Sequence, residues 1–176
     1  MPRQARTISA TNVYHAILRG VNKLQVFEDD EDYIRFLNVL RRQTQPDVDA
    51  QGQTFQPRCH VYAYCLTGNH VHLLLKEGSE TIGDIMKRIV SSYVYYYNHK
   101  YDRVGHLFQE RFKSQPVNDF SYFTTLLRYI HQNPLKAMLV DSMDEYEWSS
   151  WQEYSGTAIK VFAQHRLFSV AYPLPT

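Results

Sequence analysis

The sequence has few cysteines and no long apolar segment. Cys59 and Cys65 are its only cysteines in 176 residues, and their spacing is typical neither of a zinc knuckle nor of a disulfide-stabilised scaffold. No apolar run approaches the roughly 20 residues that a membrane span needs. The N-terminal residues also lack the apolar stretch of a secretory signal. These absences predict a protein of the reducing cytoplasm without a membrane partner.

The chain also has no large excess of positive or negative charge. The formal net charge is +1 with the eight histidines counted as neutral, whereas an obvious nucleic-acid-binding domain often has a pI above about 9. A nucleic-acid partner would therefore have to be held by a local basic patch. The phosphate-binding loop G-x-x-x-x-G-K-[ST] is missing too, so nothing in the sequence indicates nucleotide hydrolysis.

What is present is a regular alternation of strand and helix patterns. Period-two patterns predict strands at 12–20, 59–66, 70–76 and 112–117, and helical spacing predicts helices at about 27–43, 82–98 and 120–132. The order β-α-β-β-α-β-α is typical of the α+β class with a ferredoxin-like antiparallel sheet and helices packed on one face. Such a sheet leaves its other face available for a ligand.

The chain length suits one domain with a terminal addition. We expect the domain to cover residues 1–140. Residues 141–176, which include Trp148, Trp151, Phe162 and Phe168, are expected to form a C-terminal extension of short helices packed on that same domain.

The tripeptide His70-Val71-His72 is the most informative short motif. Residues i and i+2 of a strand project to the same face, so both imidazoles lie on one side of the sheet. Two neutral imidazoles on one strand are suitable ligands for a divalent metal. The alternative is that both histidines are ordinary packing or surface residues near a turn.

The last predicted helix carries Tyr129 and Asn133, which are four residues apart and share a face. It should end near Asn133, because Pro134 disfavours the helical conformation of the residue before it. If that face lies over His70 and His72, Asn133 offers an amide oxygen as a third metal ligand and Tyr129 a phenolic nucleophile beside the metal. Mixed nitrogen and oxygen ligation with open positions favours Mg²⁺ or Mn²⁺.

Two alternatives remain open for this helix. Tyr129 could pack in the core, with Asn133 acting only as a helix C-terminal residue before proline. Tyr95 and His99, in the tyrosine-rich helix 82–98, also have i,i+4 spacing and could imitate the pair. The tyrosine cluster 93–97 is otherwise interpreted as helix packing or as a stacking surface for bases.

The ordered motifs of the chain resemble those of the single-tyrosine HUH transposases, in particular the REP-associated tyrosine transposases and their insertion-sequence-200-like relatives. The resemblance covers about residues 14–154 and rests on YHAILRG (14–20), VFEDDEDY (26–33), AYCLTGNHVHLL (63–74), GHLFQERFKS (105–114), RYIHQNP (128–134) and YEWSS (146–150). One departure is that Thr67-Gly68 stands where the family usually has Met-Pro or Leu-Pro. Glycine should still permit the turn.

The resemblance implies a function and a role for each site residue. His70 and His72 would bind the metal, Mg²⁺ or Mn²⁺, with Asn133 as third ligand, and Tyr129 would be the nucleophile. The reaction would be cleavage and rejoining of single-stranded, hairpin-bearing DNA through a 5′-phosphotyrosine intermediate. The cationic residues expected to contact DNA are Arg103, Arg111, Lys113, Arg128 and Lys136.

Two other functions are compatible with the same sequence. One is a hairpin-binding protein without catalytic activity, and the other is a metal-dependent hydrolase that uses water instead of tyrosine. The resemblance further implies a nucleoid-associated protein that is a monomer or a homodimer. The C-terminal extension with Trp148 and Trp151 favours the monomer.

Overall fold

The computed structural model describes residues 7–156. Four strands and three long helices follow each other in the predicted order, with two short helices and two 3₁₀ turns after or between them. The strands are β1 (Val13–Arg19), β2 (Cys59–Thr67), β3 (His70–Glu77) and β4 (Lys113–Pro116). The helices are α1 (Asp30–Thr44), α2 (Ile82–Lys100), α3 (Phe120–His131), α4 (Asn133–Lys136) and α5 (Trp151–Ser155).

The four strands form one antiparallel sheet in the order β2-β3-β1-β4. Strand β3 therefore lies in the centre beside β1, and the register places Arg19 opposite His70 and Ile17 opposite His72. Two β-α-β units that share one antiparallel sheet in this strand order are the ferredoxin-like arrangement, so the predicted fold class is confirmed.

The two faces of the sheet carry separate apolar clusters. On one face α1 and α2 cover alternate residues of the central strands, including Leu18, Val71 and Leu73. On the other face α3 packs through Leu126 and Ile130 against a smaller cluster. The second face is thus only partly free, because α3 occupies the region over β2 and β3.

Helix α3 ends close to the position predicted from Pro134, but a short helix that was not predicted follows it. Helix α3 does end at His131, but α4 begins almost at once at Asn133 with the proline in its first turn. A proline at the first turn costs no hydrogen bond, since the amides there have no helical partner. The short α4 continues past Tyr129 and brings Lys136 back toward it.

The C-terminal extension adds a short strand-like segment to the outer edge of β2. The Leu66 amide donates to the Trp148 carbonyl over 2.9 Å, and the Ser150 amide donates to the Tyr64 carbonyl over 3.0 Å. The Trp148 ring stacks on Tyr33 of α1 with 4.5 Å between ring centroids. Phe162 and Phe168 lie outside the described residues, and the division at residue 140 stays a prediction.

None of the helices between residues 7 and 156 has the length and apolar character that a membrane crossing requires.

Candidate active site

The paired histidines, the tyrosine and the asparagine line one groove of about 1070 Å³ on the α3 face of the sheet. His70 and His72 reach it from β3, and Tyr129 and Asn133 reach it from the end of α3 and the start of α4. The Tyr129 ring meets the His72 ring edge-on at 5.7 Å between centroids. The structure therefore brings together two pairs of residues that are at least 57 positions apart in the sequence.

His15 is a third histidine of this site that the sequence reasoning missed. It lies on β1 with only 2% of its surface exposed, and its Nε2 is 3.2 Å from His72 Nδ1. Its ring centroid is 6.2 Å from that of Tyr129. The available signal was a single histidine in the middle of a strand whose neighbours are apolar.

The neighbours of His70 determine which of its ring nitrogens carries the hydrogen. The Asn69 amide nitrogen faces the Lys23 carbonyl, so its oxygen faces His70 Nδ1 at 2.6 Å. An amide oxygen only accepts, so His70 Nδ1 carries the hydrogen and Nε2 keeps its lone pair. His72 Nδ1 faces His15 Nε2 at 3.2 Å, so Nε2 is the His72 nitrogen that does not contact His15.

Burial keeps the histidines of this site neutral. Desolvation lowers the pKa of His72 to about 3, with additional repulsion from His15 and His70. Desolvation also lowers the pKa of His15 to about 4, although the neighbouring Gln115 side chain acts in the opposite direction. The pKa of His70 is lowered by partial burial and by Arg19, its cross-strand neighbour. Neutral imidazoles are the form that binds metals.

Tyr129 is accessible from the groove, with 37% of its surface exposed. The Lys136 ammonium lies over its ring at 4.5 Å from the centroid. A cation over an aromatic face is attracted by the ring. The core-packing alternative for Tyr129 does not describe its position.

Asn133 has a defined orientation. Its amide nitrogen donates to the Tyr129 carbonyl over 3.0 Å and to the Ile130 carbonyl over 3.4 Å. These bonds join the end of α3 to α4 and leave the amide oxygen as the group that can accept or coordinate. Asn133 thus combines a structural role at the helix end with a free oxygen donor.

The donor set suits a hard divalent ion. Within residues 7–156 there is no group of three or more His, Cys, Asp or Glu side chains that could hold a metal. Two imidazole nitrogens and the Asn133 oxygen would therefore leave the remaining positions to water or a substrate oxygen. Such an open, mixed nitrogen and oxygen site fits Mg²⁺ or Mn²⁺ better than a closed zinc site.

The predicted DNA-contacting cations occupy different places. Arg111 and Lys113 line the groove, although Arg111 precedes β4 instead of belonging to it. Arg128 is exposed on α3 outside the groove lining, and Arg103 packs over Tyr97 at the far end of α2. The sequence reasoning missed Arg19, which lines the groove beside His70.

The tyrosine-rich helix α2, which carries the alternative pair Tyr95 and His99, lies on the opposite face of the sheet. Tyr93 and Tyr97 are buried in the core of the opposite face and donate to the Val26 and Gln25 carbonyls. Tyr95 is 75% exposed, and its ring contacts only that of His99 at 6.5 Å among the described aromatic contacts. Helix packing is therefore the role of most of this cluster.

Comparison with known proteins gives one family and a shared fold. A family model described as "Transposase IS200 like" matches residues 9–133. A solved REP-associated tyrosine transposase bound to a REP hairpin superposes with a TM-score of 0.66 at 12% identity, over 100% of both chains. A candidate transposase from Deinococcus radiodurans R1 has a TM-score of 0.46 at 15% identity, over 74% of this chain and 97% of its own. A search of curated proteins found no match.

Proposed function

The chain belongs to the IS200-like transposase family, and from that premise we propose that it cleaves and rejoins single-stranded DNA beside a hairpin through a covalent bond to Tyr129. The observation that carries the proposal is the edge-on contact of the Tyr129 ring with His72 in one groove, 5.7 Å between centroids. A core tyrosine would not be exposed beside two imidazoles with available nitrogens.

The reaction is a transesterification at phosphorus. The Tyr129 hydroxyl oxygen attacks the scissile phosphate and forms an O–P bond, while the bond from phosphorus to the 3′ oxygen breaks. The tyrosine proton passes to solvent, and the departing oxygen becomes a free 3′-hydroxyl. The 5′ end of the downstream strand is then linked to Tyr129, and attack by another 3′-hydroxyl reverses the step without external energy.

The chain's own residues position the reactants. The hydrogen bonds from Asn133 hold the carbonyl end of α3 and thereby fix where Tyr129 enters the groove. The Lys136 ammonium packs over the face of the Tyr129 ring and holds the ring in place. Mg²⁺ or Mn²⁺ held by His70, His72 and Asn133 would polarise the scissile phosphate.

The DNA partner is supported by charge and by fold similarity. Arg19, Arg111 and Lys113 outnumber Glu110, the one acidic residue of the groove lining, and give it a positive charge that the net charge of the chain does not reveal. The structurally similar REP-associated transposase is bound to a REP hairpin. We therefore propose hairpin-bearing single-stranded DNA as the substrate class.

A single incubation tests the proposal. The full chain is mixed with end-labelled hairpin DNA that carries single-stranded flanks and with Mg²⁺, and the products are separated on a denaturing gel. We expect a denaturant-resistant protein–DNA adduct together with a fragment that ends in a 3′-hydroxyl. Tyr129→Phe should remove both, because phenylalanine has no nucleophilic oxygen.

Tyr95→Phe is the matched control, since it removes the same atom from an exposed tyrosine on the other face of the sheet. It should leave both products unchanged. Cleavage by Tyr129→Phe without an adduct would instead identify a hydrolase that uses water. Hairpin binding without any cleavage by the unsubstituted protein would identify a DNA-binding protein without catalysis.

A further inference from the structure

A histidine outside the predicted ligand set contacts one of the ligands. His15 on β1 and His72 on β3 are both buried, and their facing ring nitrogens are 3.2 Å apart. Their rings are almost parallel, with 21° between planes. Gln115 of β4 lies directly opposite His15 in the β1–β4 register. Three neighbouring strands thus place one polar side chain each in a row under α3.

Hydrogen-bond chemistry permits two arrangements of this row. In the first, His72 Nδ1–H donates to His15 Nε2, which leaves a lone pair on His72 Nε2 and a hydrogen on His15 Nδ1. In the second, His15 Nε2–H donates to His72 Nδ1, and the hydrogen of His72 then occupies Nε2. Only the first arrangement leaves His72 a nitrogen that can bind a metal in the groove.

The surroundings of His15 offer an acceptor that would complete the first arrangement. His15 Nδ1 is fully buried and has no hydrogen-bond partner in the part of the chain that the structure describes. Its cross-strand neighbour Gln115 carries an amide oxygen, which already accepts from the Tyr122 hydroxyl over 3.3 Å. That oxygen has a second lone pair, which can accept a hydrogen bond from His15 Nδ1–H if the exposed Gln115 side chain turns toward it.

We propose that His15 is a positioning residue that holds His72 in the Nδ1–H form, with Gln115 accepting the hydrogen at the far side of His15. A metal-binding histidine usually donates its other N–H to a carboxylate or a carbonyl. Here a neutral imidazole takes that place. The inference rests on the proposed metal-assisted function, because it concerns how His72 is prepared for the metal.

The first experiment needs neither metal nor DNA. Long-range ¹H–¹⁵N NMR of the full chain labelled on histidine distinguishes the two neutral forms of each imidazole, with signals assigned from single substitutions. We expect His72 and His15 both in the Nδ1–H form. His72 in the Nε2–H form would overturn the inference, whatever Tyr129→Phe shows about cleavage.

The second experiment separates positioning from packing. His15→Gln keeps an acceptor oxygen near the place of Nε2, whereas His15→Leu has a similar size without one. We expect Mn²⁺ binding, followed by electron paramagnetic resonance, to weaken about 10–100-fold in His15→Leu. His15→Gln should stay near the unsubstituted protein, and exposed His106→Gln is the control for loss of a histidine.

The possible outcomes distinguish the inference about His15 from the proposed reaction. Equal Mn²⁺ affinity of the folded Leu and Gln variants would show that His15 only fills space, and would overturn the inference while leaving the proposed reaction intact. Absence of Mn²⁺ binding by the unsubstituted protein would overturn the metal assignment and the inference with it. If His15→Leu does not fold, the NMR result on the unsubstituted chain decides.

Discussion

Replacing Lys113 by alanine should remove about one phosphate contact from the binding of hairpin DNA. Lys113 is exposed at the start of β4 and lines the groove together with Arg111 and Arg19. Lys136 adds a fourth cation 4.5 Å from the Tyr129 ring centroid. Each contact to a duplex phosphate contributes about −0.9 to the slope of log K against log salt concentration.

The expected magnitude follows from these four cations. With one phosphate each, the slope is about −3.6, so raising salt from about 50 to 200 mM should weaken binding roughly 150-fold. With Lys113→Ala the slope is about −2.7, and the same change should weaken binding only about 40-fold. The variant should thus bind the hairpin more weakly at low salt and lose less affinity as the salt concentration rises.

Fluorescence anisotropy with a labelled hairpin measures this slope at several KCl concentrations. Tyr129→Phe serves as background in the absence of divalent metal, so that no cleavage disturbs the equilibrium. Lys87→Ala is the matched control, because Lys87 is exposed on α2 across the sheet. A Lys113→Ala slope equal to that of Lys87→Ala would refute the placement of DNA in this groove.

Two further predictions concern stability. Burial lowers the pKa of His131 to about 4 from the ordinary 6.5, so between these values the unfolded chain binds a proton that the folded chain does not, and stability falls as pH falls. In that pH window, the free energy of unfolding in urea should therefore depend less on pH in His131→Gln than in the unsubstituted protein, by about 1.4 kcal/mol per pH unit. A change in this slope no larger than that caused by exposed His106→Gln would contradict the prediction. Lys100 forms an ion pair with Asp32, which is fully buried and would retain only its three other hydrogen bonds in Lys100→Met. The substitution should therefore lower the free energy of unfolding by about 2–3 kcal/mol. A loss below about 0.5 kcal/mol in urea titrations would show that the pair is not stabilising.

The central strands could be predicted closely from the sequence. The predicted bounds of β1, β2 and β3 agree with the structure within one residue, because alternation and a glycine turn define both ends. Helix α4 could not be predicted in this way. A proline favours the first turn of a helix as well as the end of the preceding one, so Pro134 alone does not decide between them.

The sequence predicts those parts of the site that lie within a single strand or helix. The i,i+2 spacing of His70 and His72 and the i,i+4 spacing of Tyr129 and Asn133 define shared faces within one strand and one helix end. The partnership of His15 with His72 depends on the register between β1 and β3. No turn connects β1 directly to β3, so the register between them is not fixed by a hairpin and is not defined by the pattern of either strand alone.

The segment at residues 148–150 has a consequence for self-association. An unpaired strand edge can recruit a strand from another molecule, which leads to aggregation. At one end of the sheet the backbone of β2 is already paired with this segment of its own chain. At the other end β4 is four residues long, begins with Lys113 and ends with Pro116, features that oppose strand addition. The protein can therefore present an open groove on one face of its sheet while both edges of that sheet resist pairing with a second copy.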